Sequence, residues 1–265
     1  RLNPVSNDNV YGLDLTPAAY RHDENGDRTI DASDGDKLWV YQGMRRGGRN
    51  LYALDLSNPD SPSLMWMKTP DDVGMSELGQ TWSAPLLTRI PSYRNDEGEA
   101  LPVIIVGAGY DTSKDNKNTI AQADSMGRGV FILDAETGEL VRSLTPAPFS
   151  PTNMQVPLAH SVAADITLLD SNADDLTDRL YIADTGGNLW RVDLSGPLPT
   201  SGDETWRIVL MATLNGGETD SDRRFFNKPD VVRTLVNGRA VDALLIGSGD
   251  RTNPLATDVE NFFYL

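Results

Sequence analysis

Residues 159–194 read AHSVAADITLLDSNADDLTDRLYIADTGGNLWRVDL. The stretch contains three runs rich in apolar and β-branched residues, SVAADITLL, RLYIAD and NLWRVDL, which are typical of β-strands. An acidic loop separates the first two runs, and the glycine pair at 186–187 separates the last two. The sequence therefore predicts three consecutive strands joined by short connections.

The acidic loop has the spacing of a calcium-binding loop, with oxygen ligands at positions 1, 3, 5, 7 and 9. In chain order these ligands are Asp170, Asn172, Asp174, Leu176 through its carbonyl, and Asp178. Alternate residues of a tight loop direct their oxygens inward, at the distance of about 2.3–2.6 Å that Ca²⁺ prefers. The alternative is a solvated turn of Asp and Asn residues. Asp175 stands at position 6, where glycine is usual.

Similar groups of strands recur along the chain. The first copy has DLTPAAY, KLWVYQG, NLYALDLS and SLMWMK; the second has WSAPLLTRI, LPVIIVGAGYD, GVFILDAETG and ELVRSLT. The third is the opening stretch, completed by WRIVLMATL, and the fourth has KPDVVRTLV, VDALLIGSGD and NFFYL. Repeats of four short strands are the sequence form of propeller blades. We therefore predict an all-β fold, a β-propeller whose ring is modified or incomplete.

A second acidic loop, DENGDRTIDASD, lies between the first two strands of the first copy, the same place that the opening loop has in the third copy. Its oxygen ligands fill positions 1, 3, 5, 7, 9 and 12 of an EF-hand-type loop. These residues are Asp23, Asn25, Asp27, Thr29, Asp31 and Asp34. Arg28 replaces the usual glycine at position 6. Two such loops at equivalent places favour calcium binding.

The composition of the chain limits its structural class, its partners and its chemistry. The chain has 265 residues, 39% hydrophobic and 23% charged, and is predicted to be one globular domain spanning residues 1–265. Its net charge of −16 disfavours nucleic acid and anionic lipid as partners. The chain has no cysteine, which excludes disulfides and thiolate chemistry.

No long apolar run is present, so neither a membrane-spanning segment nor a signal peptide is predicted. The abrupt start at Arg1, and a fourth repeat that stops at Leu265 without a last strand, lead us to expect a piece of a longer, exported protein. The polar insertion at 110–127 is expected to be a mobile loop that tolerates shortening.

The sequence supports catalytic sites less than it supports calcium-binding loops. The motif IADTGG at 182–187 resembles half of an aspartic protease site, which needs two carboxylates, so Asp184 is interpreted as a turn residue. His22 and His160 are isolated, which disfavours a histidine metal site or a catalytic triad. A glycosidase pair of carboxylates stays open, because nothing singles out two of the many acids. The five tryptophans lie in or beside strands and favour packing between sheets.

Several longer segments resemble the C-terminal domain of PilY-type proteins of bacterial type IV pili. They are GMRRGGRNLYALDLSNP, LGQTWSAPLL, IIVGAGYD, VFILDAETGELVR and DRLYIADTGGNLWRVDL. The resemblance implies a modified β-propeller on the cell surface, at the pilus tip or at the outer membrane, with no catalytic activity. It also implies that Ca²⁺ bound by the loop at 170–178 regulates pilus extension and retraction.

The implied partners are type IV pilus components such as minor pilins, and host or abiotic surfaces during adhesion; direct membrane insertion is not expected. Phrases such as LDAETGEL also occur in quinoprotein dehydrogenase propellers, so an enzyme of that type is the alternative. The sequence lacks the adjacent cysteines and a clear set of cofactor ligands that would favour this alternative.

Overall fold

The computed structural model describes residues 11–116, 122–199 and 206–265. In these ranges the strands form four antiparallel sheets in chain order, with one parallel pair at the edge of the second. The first sheet has β1 (Ala18–His22), β2 (Lys37–Gln42), β3 (Leu51–Asp55) and β4 (Ser63–Lys68). The second has β5 (Leu86–Arg94), β6 (Ala100–Gly107), β7 (Val130–Asp134), β8 (Leu140–Thr145) and β9 (Asn153–Gln155).

The third sheet has β10 (Thr167–Leu169), β11 (Arg179–Ala183), β12 (Asn188–Asp193) and β13 (Arg207–Thr213), and the fourth has β14 (Asp230–Val236), β15 (Arg239–Gly247) and β16 (Phe263–Tyr264). Short 3₁₀ turns lie at Ala32–Asp34, Arg45–Gly47, Thr112–Asp115 and Thr219–Ser221. The four sheets correspond to the four predicted repeats. The strand β9, which pairs parallel to β8, was not predicted.

The central strands β6 and β7 of the second sheet are buried on both faces, which explains why they read as continuous apolar runs rather than alternating ones. In β6, Val103 and Ile105 pack toward the third sheet, in a core with Leu180 and Ile182. The intervening Ile104 and Val106 pack toward the first sheet. Because successive side chains of a strand point to opposite faces, one strand serves two cores.

Aromatic residues fill the spaces between the sheets. Trp39 and Trp66 lie in the core between the first and second sheets, and Trp190 and Trp206 lie in the core between the second and third. Trp82 packs with Tyr110 and Phe226 in a smaller cluster formed by loops. The prediction that tryptophans pack between sheets is confirmed for Trp39, Trp66, Trp190 and Trp206, whereas Trp82 packs among loops.

A third core, built from Ala183, Leu189, Phe225 and Ile246, joins the third and fourth sheets. No hydrophobic core of the described residues joins the fourth sheet to the first. The all-β prediction is therefore confirmed in the form of an incomplete β-propeller. The part of the chain that the structure describes also holds no helix with the length and hydropathy needed to span a bilayer.

The insertion at 110–127, expected to be mobile and to tolerate shortening, has buried anchoring residues among those that the structure describes, and the expectation itself stays a prediction. Asp111, Lys114 and Asp124 are all at least 97% buried, with exposures of 1%, 3% and 3%. Lys114 Nζ lies 3.2 Å from Asp124 Oδ1, and Asp124 Oδ2 accepts hydrogen bonds from the Ser161 backbone N–H and the Thr185 hydroxyl. The insertion is thus hydrogen-bonded to loops of the third sheet. Its polar sequence gave no indication of the buried ion pair.

Candidate metal-binding loops

The two acidic loops join the first and second strands of their sheets, as predicted. The loop at 23–36 connects β1 to β2, and the loop at 170–178 connects β10 to β11. The second sheet has only a short turn at 95–99 in this position, and the fourth has the tight hairpin at Asn237 and Gly238. The long acidic connection is therefore a property of the first and third sheets.

In the third-sheet loop, the position-1 carboxylate organises the backbone. Asp170 Oδ1 accepts from the Ala173 N–H at 2.6 Å, and Oδ2 accepts from the Asp175 N–H at 2.8 Å. Both donors belong to residues with φ of 64°. Positions 4 and 6 therefore adopt the left-handed conformation that glycine usually provides, although neither residue is glycine.

The other predicted ligands of this loop continue the pattern. Asn172 Nδ2 donates to Asp174 Oδ2 at 3.1 Å, and the Leu176 N–H donates to Asp174 Oδ1 at 3.0 Å. Asp178 accepts hydrogen bonds from the backbone and hydroxyl of Ser171, so it ties the end of the loop to its start. No described residue donates to the Leu176 carbonyl.

The first-sheet loop repeats this arrangement. Asp23 accepts from the Gly26 N–H at 2.7 Å and from the Arg28 N–H at 2.8 Å, and these donors have φ of 73° and 74°. Asn25 Nδ2 donates to Asp27 Oδ2 at 3.3 Å. Two loops of unrelated surrounding sequence thus share left-handed residues at positions 4 and 6 and the same hydrogen bonds from positions 3 to 5.

The remaining ligands of the first-sheet loop lie at its second half. Thr29 donates from its backbone to Asp27 Oδ1, Asp31 caps the short turn that follows by accepting from Ser33, and Asp34 Oδ2 accepts from Asn25 Nδ2 at 3.1 Å. All six predicted residues therefore lie within one hydrogen-bonded loop.

Sequence reasoning missed Asp36. Its carboxylate is 3% exposed and accepts from the backbone N–H groups of Glu24 and Asp31, at 2.8 and 2.9 Å. It thereby holds both halves of the loop against the start of β2. The only signal in the sequence is its position directly before an apolar strand. A charged residue that is buried there must have its hydrogen bonds satisfied.

Hydrogen bonds keep several of these carboxylates ionised. The Thr29 hydroxyl and backbone lower the pKa of Asp27, and Ser33 lowers the pKa of Asp31 in the same way. For Asp170, desolvation favours the neutral form, but backbone hydrogen bonds from four loop residues outweigh it and lower the pKa. At neutral pH these groups are therefore anionic oxygen donors, the chemistry that Ca²⁺ requires.

The carboxylates do not converge on a single point. Among the described residues, no three His, Asp or Glu side chains form a cluster arranged to hold a metal ion. The oxygens of Asp170 and Asp23 are directed instead at backbone N–H groups. The donor types and loop spacing fit calcium, whereas the side-chain directions do not form a coordination sphere.

Asp184 is a turn residue, as interpreted from the sequence. It is fully buried, Oδ1 accepts from the backbone of Gly186 and Asn188, and Oδ2 accepts from Trp190 Nε1 at 2.9 Å. Burial raises the pKa of its carboxyl, and the hydrogen bonds from Trp190 and Asn188 act in the opposite direction. The side chain is enclosed by its own turn and leaves no free carboxylate for catalysis.

Comparison with known proteins connects this architecture to one family. The sequence model described as "PilY1 beta-propeller domain" matches residues 20–209. The type IV pilus biogenesis factor PilY1 of Pseudomonas aeruginosa strain UCBPP-PA14 is 29% identical over 153 residues, 57% of this chain and 11% of that protein. A PilY1 homolog of Xylella fastidiosa strain Temecula1 is 29% identical over 213 residues, 74% of this chain and 12% of the relative.

A solved structure agrees in fold. The crystal structure of the Pseudomonas aeruginosa PilY1 C-terminal domain aligns with a TM-score of 0.58 and 23% identity, covering 89% of this chain and 43% of that one. This chain therefore spans less than half of the solved domain that it matches, and about a tenth of the length of the curated relatives.

Proposed function

The chain belongs to the PilY1 β-propeller domain family, and from this membership we propose that it is a calcium-binding, non-enzymatic module of a type IV pilus biogenesis protein and adhesin. In this proposal residues 1–265 act as one domain. Calcium held in the loop at 170–178 regulates pilus extension and retraction, and therefore twitching motility. The loop at 23–34 holds a second ion.

The observation that carries the calcium proposal is the hydrogen-bond pattern that the two loops share. In each loop a position-1 Asp binds the backbone of positions 4 and 6, where φ lies between 64° and 74°. Left-handed residues other than glycine cost about 1 kcal/mol or more each; the third-sheet loop keeps two of them, Ala173 and Asp175, and the first-sheet loop keeps one, Arg28. Ca²⁺ bound by oxygens at the odd positions would add to the hydrogen bonds that offset this cost.

Calorimetric titration of the purified domain with CaCl₂ tests the proposal. We expect two binding events for the unmodified domain, and loss of one event in Asp178→Ala and of the other in Asp31→Ala. Free calcium at about 100 times the dissociation constant should stabilise the domain by about 2.7 kcal/mol per site. The matched control is Asp96→Ala, an exposed residue in the equivalent turn of the second sheet.

Absence of calcium-dependent heat, together with an identical melting temperature in calcium and in chelator, would mean that the loops are solvated turns. A stoichiometric quinone chromophore in the purified protein would instead favour the dehydrogenase-type alternative. Each outcome rejects a different part of the proposal.

In the cell, we propose that the protein is exported and acts at the cell surface, the pilus tip or the outer membrane, with minor pilins and attachment surfaces as partners. Introducing Asp178→Ala into the intact gene should change surface pilus number and twitching zones without lowering the amount of the protein. Unchanged pili and twitching, combined with lost calcium binding, would separate calcium binding from pilus regulation.

A further inference from the structure

A cavity of about 670 Å³ lies where loops of three sheets and the insertion meet. We call it the arginine cavity, because Arg46, Arg224 and Arg251 line it. Pro254 and Val259 contribute apolar wall. Its volume lies within the range of about 300–1,000 Å³ that is typical of small-ligand sites. None of the calcium-loop residues lines it, so it is independent of the function proposed above.

Four acidic side chains line the cavity, Asp115, Asp222, Asp250 and Asp258, and hydrogen bonds within the wall engage the first three. Both oxygens of Asp115 accept hydrogen bonds, from Arg46 and from the Tyr110 hydroxyl. Both oxygens of Asp222 accept as well, from Arg224 and from Asn215 Nδ2.

The third carboxylate, Asp250, binds Thr252 through Oδ1 and Arg224 through Oδ2. These three carboxylates therefore have much of their hydrogen-bonding capacity satisfied within the wall. They therefore have few free acceptor positions for a cationic ligand.

The guanidinium donors are used less completely. A guanidinium has five N–H groups. Those of Arg46 make two hydrogen bonds among the described residues, both to Asp115, which fixes the group over Trp82 and Tyr110 at 5.5 and 5.7 Å from the ring centroids. The exposed Arg251 makes no side-chain hydrogen bond or ion pair to any residue that the structure describes. Arg46 and Arg251 therefore keep N–H groups from which no described residue accepts a hydrogen bond.

We propose that the arginine cavity binds a carboxylate-bearing ligand, such as an acidic peptide segment or a small organic acid. Its carboxylate contacts Arg251 and the free edge of Arg46, and its aliphatic part lies against Pro254 and Val259. Hydrogen bonds between ionised partners are stronger than neutral ones, and a planar guanidinium matches a carboxylate in geometry. The cavity is lined by four basic side chains, Arg46, Lys114, Arg224 and Arg251, and by four acidic ones, so its charge is balanced within a chain of net charge −16.

Fluorescence anisotropy with a triglutamate peptide carrying a neutral fluorophore tests the proposal. We expect saturable binding of this peptide, and binding at least about tenfold weaker for the matched triglutamine peptide. Citrate that displaces the peptide would extend the ligand class to free organic acids. Citrate without effect on a bound peptide would restrict it to peptide carboxylates.

Two charge variants of opposite sign make the test specific. Arg251→Glu should weaken triglutamate binding by about tenfold or more, whereas Asp258→Asn, which removes a carboxylate from the wall, should strengthen it severalfold. Arg239→Glu, an equal charge change in β15 outside the cavity, is the control and should leave binding within about twofold. Equal binding of the two peptides, no binding of either, or equal effects of Arg251→Glu and Arg239→Glu would overturn the proposal.

Discussion

Ala173 occupies a backbone conformation that side chains rarely adopt. Its φ of 64° places it in the left-handed region, in the middle of the third-sheet loop, and its side chain is exposed. The Asp170 carboxylate holds the residue there through the hydrogen bond to its N–H. A substitution at this exposed position can therefore change the backbone strain without changing the packing of the core.

We expect Ala173→Gly to leave stability unchanged or to raise it by up to about 1 kcal/mol, because glycine relieves the strain while adding entropy to the unfolded chain. Urea unfolding measures the difference. The control Ala243→Gly lies in regular strand β15, where the same change should destabilise by about 0.5–1 kcal/mol. Equal losses at the two positions would mean that Ala173 is not strained.

Asp184 acts at the same scale, through a buried carboxylate. We expect Asp184→Ala to lower the free energy of unfolding by about 3 kcal/mol, because Trp190 Nε1 and the Gly186 N–H lose their acceptor inside the protein. The measurement is a urea unfolding curve. The control Asp60→Ala changes an exposed side chain and should shift stability by about 0.5 kcal/mol or less. A loss below about 1 kcal/mol at Asp184 would show that water replaces the carboxylate.

At the scale of elements, the insertion at 110–127 links several sheets. Asp115 pairs with Arg46 beside the first sheet, Asp124 binds Ser161 and Thr185 of the third-sheet region, and the Lys114 carbonyl accepts from Arg224. Its described ends therefore connect sheets through a few buried or hydrogen-bonded side chains.

We expect Lys114→Met to destabilise the fold by about 3–5 kcal/mol, because it leaves Asp124 buried without its cation. Lys37→Met is the matched control: its ion pair with Glu136 is exposed, with side-chain exposures of 37% and 60%, and should contribute about 1 kcal/mol or less. Thermal unfolding compares the two variants. Similar melting temperatures for both would indicate that the Lys114–Asp124 pair is not formed.

At the scale of the whole molecule, burial decreases from the second sheet to the fourth. All five residues of β7 are buried, whereas most residues of β14 are exposed, including Leu235 at 70% and Val236 at 52%. Sheets that pack on both faces should therefore open only with global unfolding, and the hairpin of β14 and β15 should open locally.

Amide hydrogen exchange should reveal this gradient. We expect the slowest exchange in β6 and β7, near the global free energy of unfolding, and exchange faster by orders of magnitude in β14. Added calcium should slow exchange in the loop at 170–178 and in the adjacent ends of β10 and β11. Uniform protection of all four sheets would show that the fourth sheet unfolds only with the rest.

Local sequence patterns were enough to predict the strands other than β9, their grouping into four sheets and the positions of both acidic loops. These features depend on local chemistry: side-chain alternation along strands, turn residues, and oxygen ligands spaced at every second position. The left-handed backbone at Arg28 and Asp175, where glycine was expected, also keeps the predicted loop shape.

The buried Lys114–Asp124 pair, the role of Asp36, the parallel strand β9 and the arginine cavity could not be predicted and depend on contacts made in the folded protein. The hydrogen bond from Arg224 to the Lys114 carbonyl joins residues 110 positions apart, and the bond from Ser161 to Asp124 joins residues 37 apart. No local pattern encodes such pairs, because a charged residue reads as exposed until its distant partner satisfies it.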